Sequence, residues 1–269
     1  MFRMENICCG YGSKIVINNI SLEVEKGELV GIIGPNGSGK TTLLRAMTRV
    51  LKLRGGNIFL NEKNIRSMNI KEISRQIAVV SQNAPTNFMT AEEFIFLGRM
   101  PHFKSFHFFE TKRDKEIVEE SMALTGTLEF RDRFLHELSG GERQLIVVAR
   151  ALAQEPRILM LDEPTAYLDI THQIKILDLI KKLNSQLRIT VIMVLHDLNL
   201  ASEYCHKLVL INKGRVHEMG RPEEVLKYRT IEEVYKTLVV VRENPISGKP
   251  CVFLVSEEER IAHEKKRAD

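Results

Sequence analysis

The run Gly34-Pro35-Asn36-Gly37-Ser38-Gly39-Lys40-Thr41 fits the pattern G-x-x-x-x-G-K-[ST], and it narrows the fold more than any other feature of the chain. Its glycines let the backbone curl so that successive N–H groups point inward at phosphate oxygens. A helix start adds the positive end of its dipole. Such a loop needs a buried strand before it and a helix after it. Leu29-Val30-Gly31-Ile32-Ile33 is a continuous apolar run suited to a buried parallel strand. Leu43, Leu44, Met47 and Leu51 then recur at helical spacing, which predicts a helix from Lys40 that Gly55 and Gly56 end. In that setting the residues from Gly34 to Thr41, with Thr42, are expected to bind nucleotide phosphates. Lys40 places a point charge on the β- and γ-phosphates, and the Thr41 hydroxyl is a candidate ligand of Mg²⁺.

Around the loop, strand and helix alternate. Ile20, Leu22 and Val24 alternate with Ser21, Glu23 and Glu25, the period of a half-buried strand. Further strands are expected at 57–60, 77–81, 157–161 and 190–195, a helix at 170–187, and a hairpin pairing 208–211 with 216–218. From about residue 85 to 154 the pattern is helical, with a capping-box match at Thr90-Ala91-Glu92-Glu93 and a one-faced helix over 111–124. This order predicts an α/β fold with a mostly parallel core sheet and an inserted helical subdomain. At 269 residues the chain can bury one sizeable core. The expected division is a cassette over 1–220 and a short C-terminal extension over 221–269 packed on that core. The extension reads as helices at 223–227 and 231–236 and a hairpin around 244–250, and the charge-rich 257–269 as a frayed helix or tail.

A second motif supplies acids. Arg157-Ile158-Leu159-Met160-Leu161-Asp162-Glu163 is an apolar strand ending in two carboxylates, the form of a Walker B strand. A buried strand delivers Asp162 to the carboxyl edge of the sheet, where ligands bind in open α/β folds. Asp162 is then placed to hold Mg²⁺, directly or through water. Glu163 is placed to polarise an attacking water as general base.

Those two motifs describe a nucleotide hydrolase, and Leu138-Ser139-Gly140-Gly141-Glu142-Arg143-Gln144 narrows it further. With this segment the chain resembles the ATP-binding cassette family, in which L-S-G-G-[EQ] opens a helix. The resemblance runs to about Met219, with the motifs in the family's order. It implies a P-loop NTPase with an N-terminal antiparallel β subdomain, working as a homodimer. Ser139, Gly140 and Gly141 would then close on ATP held by the opposite subunit. It also implies roles for single residues. Tyr11 matches the aromatic that stacks on adenine, and Gln82 the glutamine that contacts Mg²⁺ and senses the membrane partner. His196 matches the switch histidine at the γ-phosphate, and Asp169 the acid of the segment that crosses the dimer interface. Ala166 departs from the pattern, because many members carry serine there.

Three runs make the resemblance narrower: Gly98-Arg99-Met100-Pro101-His102, the segment 149–156, and Leu168-Asp169-Ile170-Thr171-His172-Gln173. All three resemble the ATPases of iron-siderophore, haem and cobalamin importers. The implied partners are integral-membrane permease subunits and, through them, an extracytoplasmic substrate-binding protein. The implied location is peripheral, on the cytoplasmic face of the membrane. Residues 103–109 hold four of the 12 phenylalanines and read either as local core or as a groove for a permease helix. A non-transport ATPase of DNA maintenance or translation, or an exporter ATPase, stands as the alternative. Neither a heptad insert nor a basic stripe supports the first, and no fused membrane domain supports the second. The formal net charge of +4 is too mild to imply nucleic acid. No apolar stretch approaches the roughly 18 residues of a membrane-spanning helix, so any membrane role is expected to come from a separate subunit. Cys8, Cys9, Cys205 and Cys251 show no metal-ligand spacing and read as reduced structural thiols.

Overall fold

A strand that is apolar at every position needs cover on both faces, and β3 (Leu29–Ile33) is buried along its whole length. The computed structural model describes residues 1–81, 88–103 and 110–259. In it β3 lies inside a six-stranded sheet with β6 (Ile77–Val80), β7 (Ile158–Asp162), β8 (Thr190–Val194), β9 (Lys207–Asn212) and β10 (Arg215–Gly220). The order is β10-β9-β3-β8-β7-β6. All neighbours are parallel except the β9–β10 hairpin.

The period of two along these strands sorts the side chains into two cores. Leu29 and Ile33 of β3, Leu159 and Leu161 of β7, and Val191 and Met193 of β8 face one side. Val30 and Ile32, Ile158 and Met160, and Ile192 and Val194 face the other. Each buried side chain of this size contributes about 1.5–3 kcal/mol of transfer free energy. That is why both faces must be roofed.

The first face is covered by α5 (Gly140–Ala153), α6 (Ile170–Leu187) and α7 (Leu198–Tyr204). Ile176, Leu177, Ile180 and Leu183 supply the inward stripe of α6 at helical spacing. The second face is covered by α1 (Lys40–Met47) and by an antiparallel sheet of β1 (Phe2–Tyr11), β2 (Lys14–Val24), β4 (Leu53–Leu60) and β5 (Lys63–Asn64). That sheet has the order β2-β1-β4-β5. A short α2 (Ile70–Ser74) precedes β6.

The expected helical interval contains α3 (Ala91–Phe96), a 3₁₀ segment at Leu97–His102 and α4 (Lys112–Thr125), all preceding α5. The threonines Thr90 and Thr111 cap α3 and α4 with reciprocal side-chain bonds. After β10 come α8 (Pro222–Val225), α9 (Tyr228–Tyr235) and the hairpin of β11 (Val239–Glu243) and β12 (Pro250–Leu254). Their residues Val225, Ile231, Val234, Val239 and Val252 join the same core as α5 and α6.

One expectation fails here. The helix begun at Lys40 stops at Met47 with Thr48 as its cap, so Leu51 lies beyond it and Gly55 and Gly56 do not end it. Arg49 turns left-handed and its guanidinium bonds the Ile65 carbonyl at 3.1 Å, which diverts the chain into β4. Both glycines belong to β4, where its pairing with β1 shifts register. Gly56 has φ +79°, and a Cβ there would lie 2.3 Å from the Glu5 carbonyl oxygen, so a bulge rather than a helix stop requires it.

Candidate active site

Chain curvature at the carboxyl end of β3 creates the site. Gly34, Gly37 and Gly39 adopt φ values of +147°, +74° and +108°. A Cβ at Gly34 would fall 2.1 Å from the Ile211 carbonyl oxygen, so only glycine lets the loop pass β9. Gly39 caps α1 in the left-handed region and offers no side-chain cap, which leaves the first-turn N–H groups directed at the loop. The Lys40 side chain is buried and folds back over the loop, its ammonium donating to the carbonyls of Gly34 at 2.8 Å and Pro35 at 3.0 Å. Burial holds the Lys40 ammonium below its ordinary pKa, while the nearby carboxylates Glu163 and Asp162 pull it back up. Among the described residues the buried Ser38 hydroxyl has no hydrogen-bond partner. An unsatisfied hydroxyl, uncapped amides and a desolvated ammonium converge on one place, which suits a phosphate.

The acids arrive from the next strands. Asp162 ends β7 and accepts a 3.1 Å hydrogen bond from Thr41 Oγ1 in the first turn of α1. Burial raises the Asp162 carboxyl pKa, the Thr41 bond lowers it, and the adjacent Glu163 charge raises it further. A hydroxyl and a carboxylate oxygen in contact fit Mg²⁺, which takes one or two protein oxygens and completes its shell with phosphate and water. Among the described residues no group of three His, Cys, Asp or Glu could hold a metal ion.

Glu163 leaves the strand with φ +54°, and its Oε1 is hydrogen-bonded to His196 Nε2. The pairing follows from topology. β7 and β8 are parallel neighbours, with Asp162 opposite Val194, so residues just past their ends meet although 33 positions apart in sequence.

Lys40, Thr41, Thr42, Glu163 and His196 share one cavity of about 470 Å³ with Asn36, Gly37 and Gly39. Lys14, Ile15, Val16, Lys213 and Gly214 complete its wall, and sequence reasoning did not single them out. The turn Asn212-Lys213-Gly214 was legible only as a hairpin. Gly214 in fact stitches the loop to β2: its N–H donates to the Ser38 carbonyl at 3.0 Å, and its carbonyl accepts from Asn18 at 2.8 Å. Tyr11 stands apart from the wall, half exposed at the end of β1, its hydroxyl accepting from Arg45 at 3.1 Å. Gln82 lies outside the described residues, as do 104–109 of the phenylalanine-rich run.

Ser139, Gly140 and Gly141 are not in this cavity. They start α5, where the Ser139 hydroxyl accepts from the Glu142 N–H and the Glu142 carboxylate accepts from the Ser139 N–H. Asp169 caps α6 by accepting from the His172 N–H at 2.9 Å. The run 98–102 is anchored to the other end of α5. Arg99 is buried and bonds Asp114 at 2.9 Å, the Ala153 carbonyl at 2.6 Å and Glu155 at 2.8 Å, while the His102 ring bonds the Gln154 carbonyl at 2.9 Å.

A family model described as "ABC transporter" matches residues 17–166. The chain is 39% identical over 266 residues to a petrobactin import ATP-binding protein of Bacillus anthracis, covering 98% of this chain and 97% of that protein. It is 38% identical over 251 residues to the ferric enterobactin transport ATP-binding protein of Escherichia coli, covering 93% and 92%. Its fold superposes with a TM-score of 0.71 on a dimeric, post-hydrolysis ATP-binding cassette bound to ADP and phosphate, at 28% identity over 82% of this chain and 98% of that one.

Proposed function

This chain is an ATPase of the ABC transporter family, and from that premise we propose that it energises an importer of chelated metal, an iron-siderophore before haem or cobalamin. The observation that carries the reading is the cavity that gathers Lys40, Thr41, Glu163 and His196, while the Ser139-Gly140-Gly141 turn stays outside it. A second copy supplies what one copy lacks. Two subunits face head to tail, and the α5 turn of each closes on the γ-phosphate bound by the other.

The residues divide the work. The loop amides, Ser38 and Lys40 hold the phosphates. Thr41, Asp162 and Gln82 hold Mg²⁺, which supplies positive charge to the phosphate oxygens. Glu163 takes the proton of the attacking water, and His196 keeps the Glu163 carboxylate turned toward it. Tyr11 lies against the adenine side, and Asp169 contacts the opposite subunit. The homodimer docks on permease subunits at the cytoplasmic face of the membrane, with an external binding protein delivering the cargo. Support for the cargo comes from the relatives named for petrobactin and ferric enterobactin, which align with this chain nearly end to end.

One substitution tests chemistry and cargo together. Purified Glu163→Gln should keep ATP binding and hydrolyse about 10²–10⁴-fold more slowly, the usual loss when a general base is removed. Cells whose only copy carries Glu163→Gln should lose uptake of a ferric siderophore. A variant that hydrolyses at the wild-type rate would refute the base. A slow variant with normal uptake of siderophore, haem and cobalamin would refute the cargo alone.

A further inference from the structure

We propose that His172 is a positioning residue that couples the 165–169 segment to the Ser139-Gly140-Gly141 turn inside one subunit, and that its ring occupies the space a side chain at position 141 would take. The inference rests on the reading above, in which the α5 turn completes the opposite subunit's ATP site.

Gly141 has no backbone reason to be glycine. It lies in the first turn of α5 and is not among the residues with positive φ. Alanine in a helix is ordinarily favoured over glycine by about 1 kcal/mol. Yet a Cβ at 141 would fall 2.1 Å from His172 Cδ2 and 2.8 Å from both Cγ and Nε2. Those separations are far inside the roughly 3.5–4 Å of carbon–carbon contact. The imidazole therefore fills the space a side chain would take.

A hydrogen bond holds the half-exposed ring in this position. Its Nδ1 bonds Asp169 Oδ2 at 2.8 Å, and its backbone N–H donates to Asp169 Oδ1 at 2.9 Å. One carboxylate thus fixes both the start of α6 and the orientation of the imidazole. The neighbouring turn is tied in the same way: the Gln173 amide donates to the carbonyls of Leu168 at 2.9 Å and Thr165 at 3.4 Å. A Cβ at Gly140 would touch Leu168 Cδ2 at 3.7 Å. Two consecutive glycines of the α5 turn are thus packed by Leu168, in the segment that leads into α6, and by His172, in the first turn of α6. Contact of Asp169 with a second copy would move the His172 ring, and the ring would move the first turn of α5. Nucleotide closure at one interface element then reaches the other without passing through the cavity.

The test is a two-residue cycle. His172→Asn keeps a donor near the Nδ1 position and removes the ring, so it separates the Asp169 bond from the contact with Gly141. Four proteins are compared: wild type, Gly141→Ala, His172→Asn and the double variant. Each is assayed for ATP affinity as a monomer, thermal midpoint, kcat and KM. ATP-driven dimerisation is followed by light scattering in a Glu163→Gln background. Gly141→Ala should lower the thermal midpoint and kcat while monomer ATP affinity holds. His172→Asn should restore both in the double variant, by about tenfold in kcat, as expected for residues in contact. Equal damage from Gly141→Ala in the presence of His172 and of Asn, or a harmless Gly141→Ala, would overturn the proposal. Ser139→Arg serves as the separate control. If it too dimerises with ATP, the two-subunit site fails, while recovery of the thermal midpoint still reports the ring contact.

Discussion

Two helices of this chain begin beside glycines, and they begin in opposite ways. α1 follows a left-handed Gly39, has no side-chain cap and no acid in its first turn, and carries Lys40 as its first residue. α5 follows Ser139, which is engaged with Glu142 in a reciprocal capping box. An acid in the first turn complements a helix's own dipole, and the same acid repels an arriving anion. The Glu142 carboxyl is held below its ordinary pKa by the Ser139 N–H and hydroxyl, so it stays charged. The difference is one of readiness. The α1 turn leaves its amides for a ligand that a single subunit can bind. The α5 turn is satisfied by its own chain and must give up part of that cap before it takes an anion. An exchange of this kind suits a site that forms only when a second copy closes.

The largest effect expected from breaking this arrangement lies at the far end of α5. Asp114→Ala leaves the buried Arg99 guanidinium without its buried carboxylate partner, with the more exposed Glu155 still bonded, and should cost up to about 3–5 kcal/mol in urea unfolding, the loss when a buried pair is broken. Burial acts to raise the Asp114 carboxyl, but the Thr111 hydroxyl and Arg99 together hold its pKa below the ordinary 3.8. A depressed carboxylate stabilises the fold fully above its unfolded pKa and loses that contribution as pH falls through the folded one. Below about pH 3.8 wild type should therefore lose stability more steeply than Asp114→Asn, and parallel pH curves would remove the pair from the account.

The next effect separates the two helix starts. Lys40→Ala should weaken ATP binding by the monomer about 10–100-fold, the value of a charge-assisted hydrogen bond or two. Ser139→Arg should leave monomer binding unchanged and abolish ATP-driven dimers. Equal losses of monomer binding in both would place the two turns in one site and end the contrast. The smallest effect sharpens it. Ser139→Ala should cost about 1 kcal/mol of stability by removing the cap. Ser139→Asp should keep that stability and still fail to dimerise, because the new carboxylate faces the incoming phosphate. A Ser139→Asp protein that dimerises as wild type does would show that the turn never meets an anion.

What was legible in the chain and what was not follows one physical division. The glycine loop, the acids that end β7 and the cap of α3 were legible because each requirement is local. Left-handed glycines, an apolar run and a threonine three residues before a glutamate all act within one turn or strand. The same locality explains the failure at Gly55 and Gly56. Glycine beside a helix reads as a stop, and nothing local reveals that β1 is the neighbour that needs a bulge. The sequence by itself thus determined the fold class, the glycine-rich turn after β3 and the two acids at the end of β7. Only the tertiary structure decided that His196 holds Glu163, that Val16 and Gly214 wall the cavity, and that His172 lies against Gly141. Those contacts depend on the order of strands in the sheet and the packing of helices on its face. Hydrophobic period reports which face of an element is buried, and it carries no information about what that face will meet.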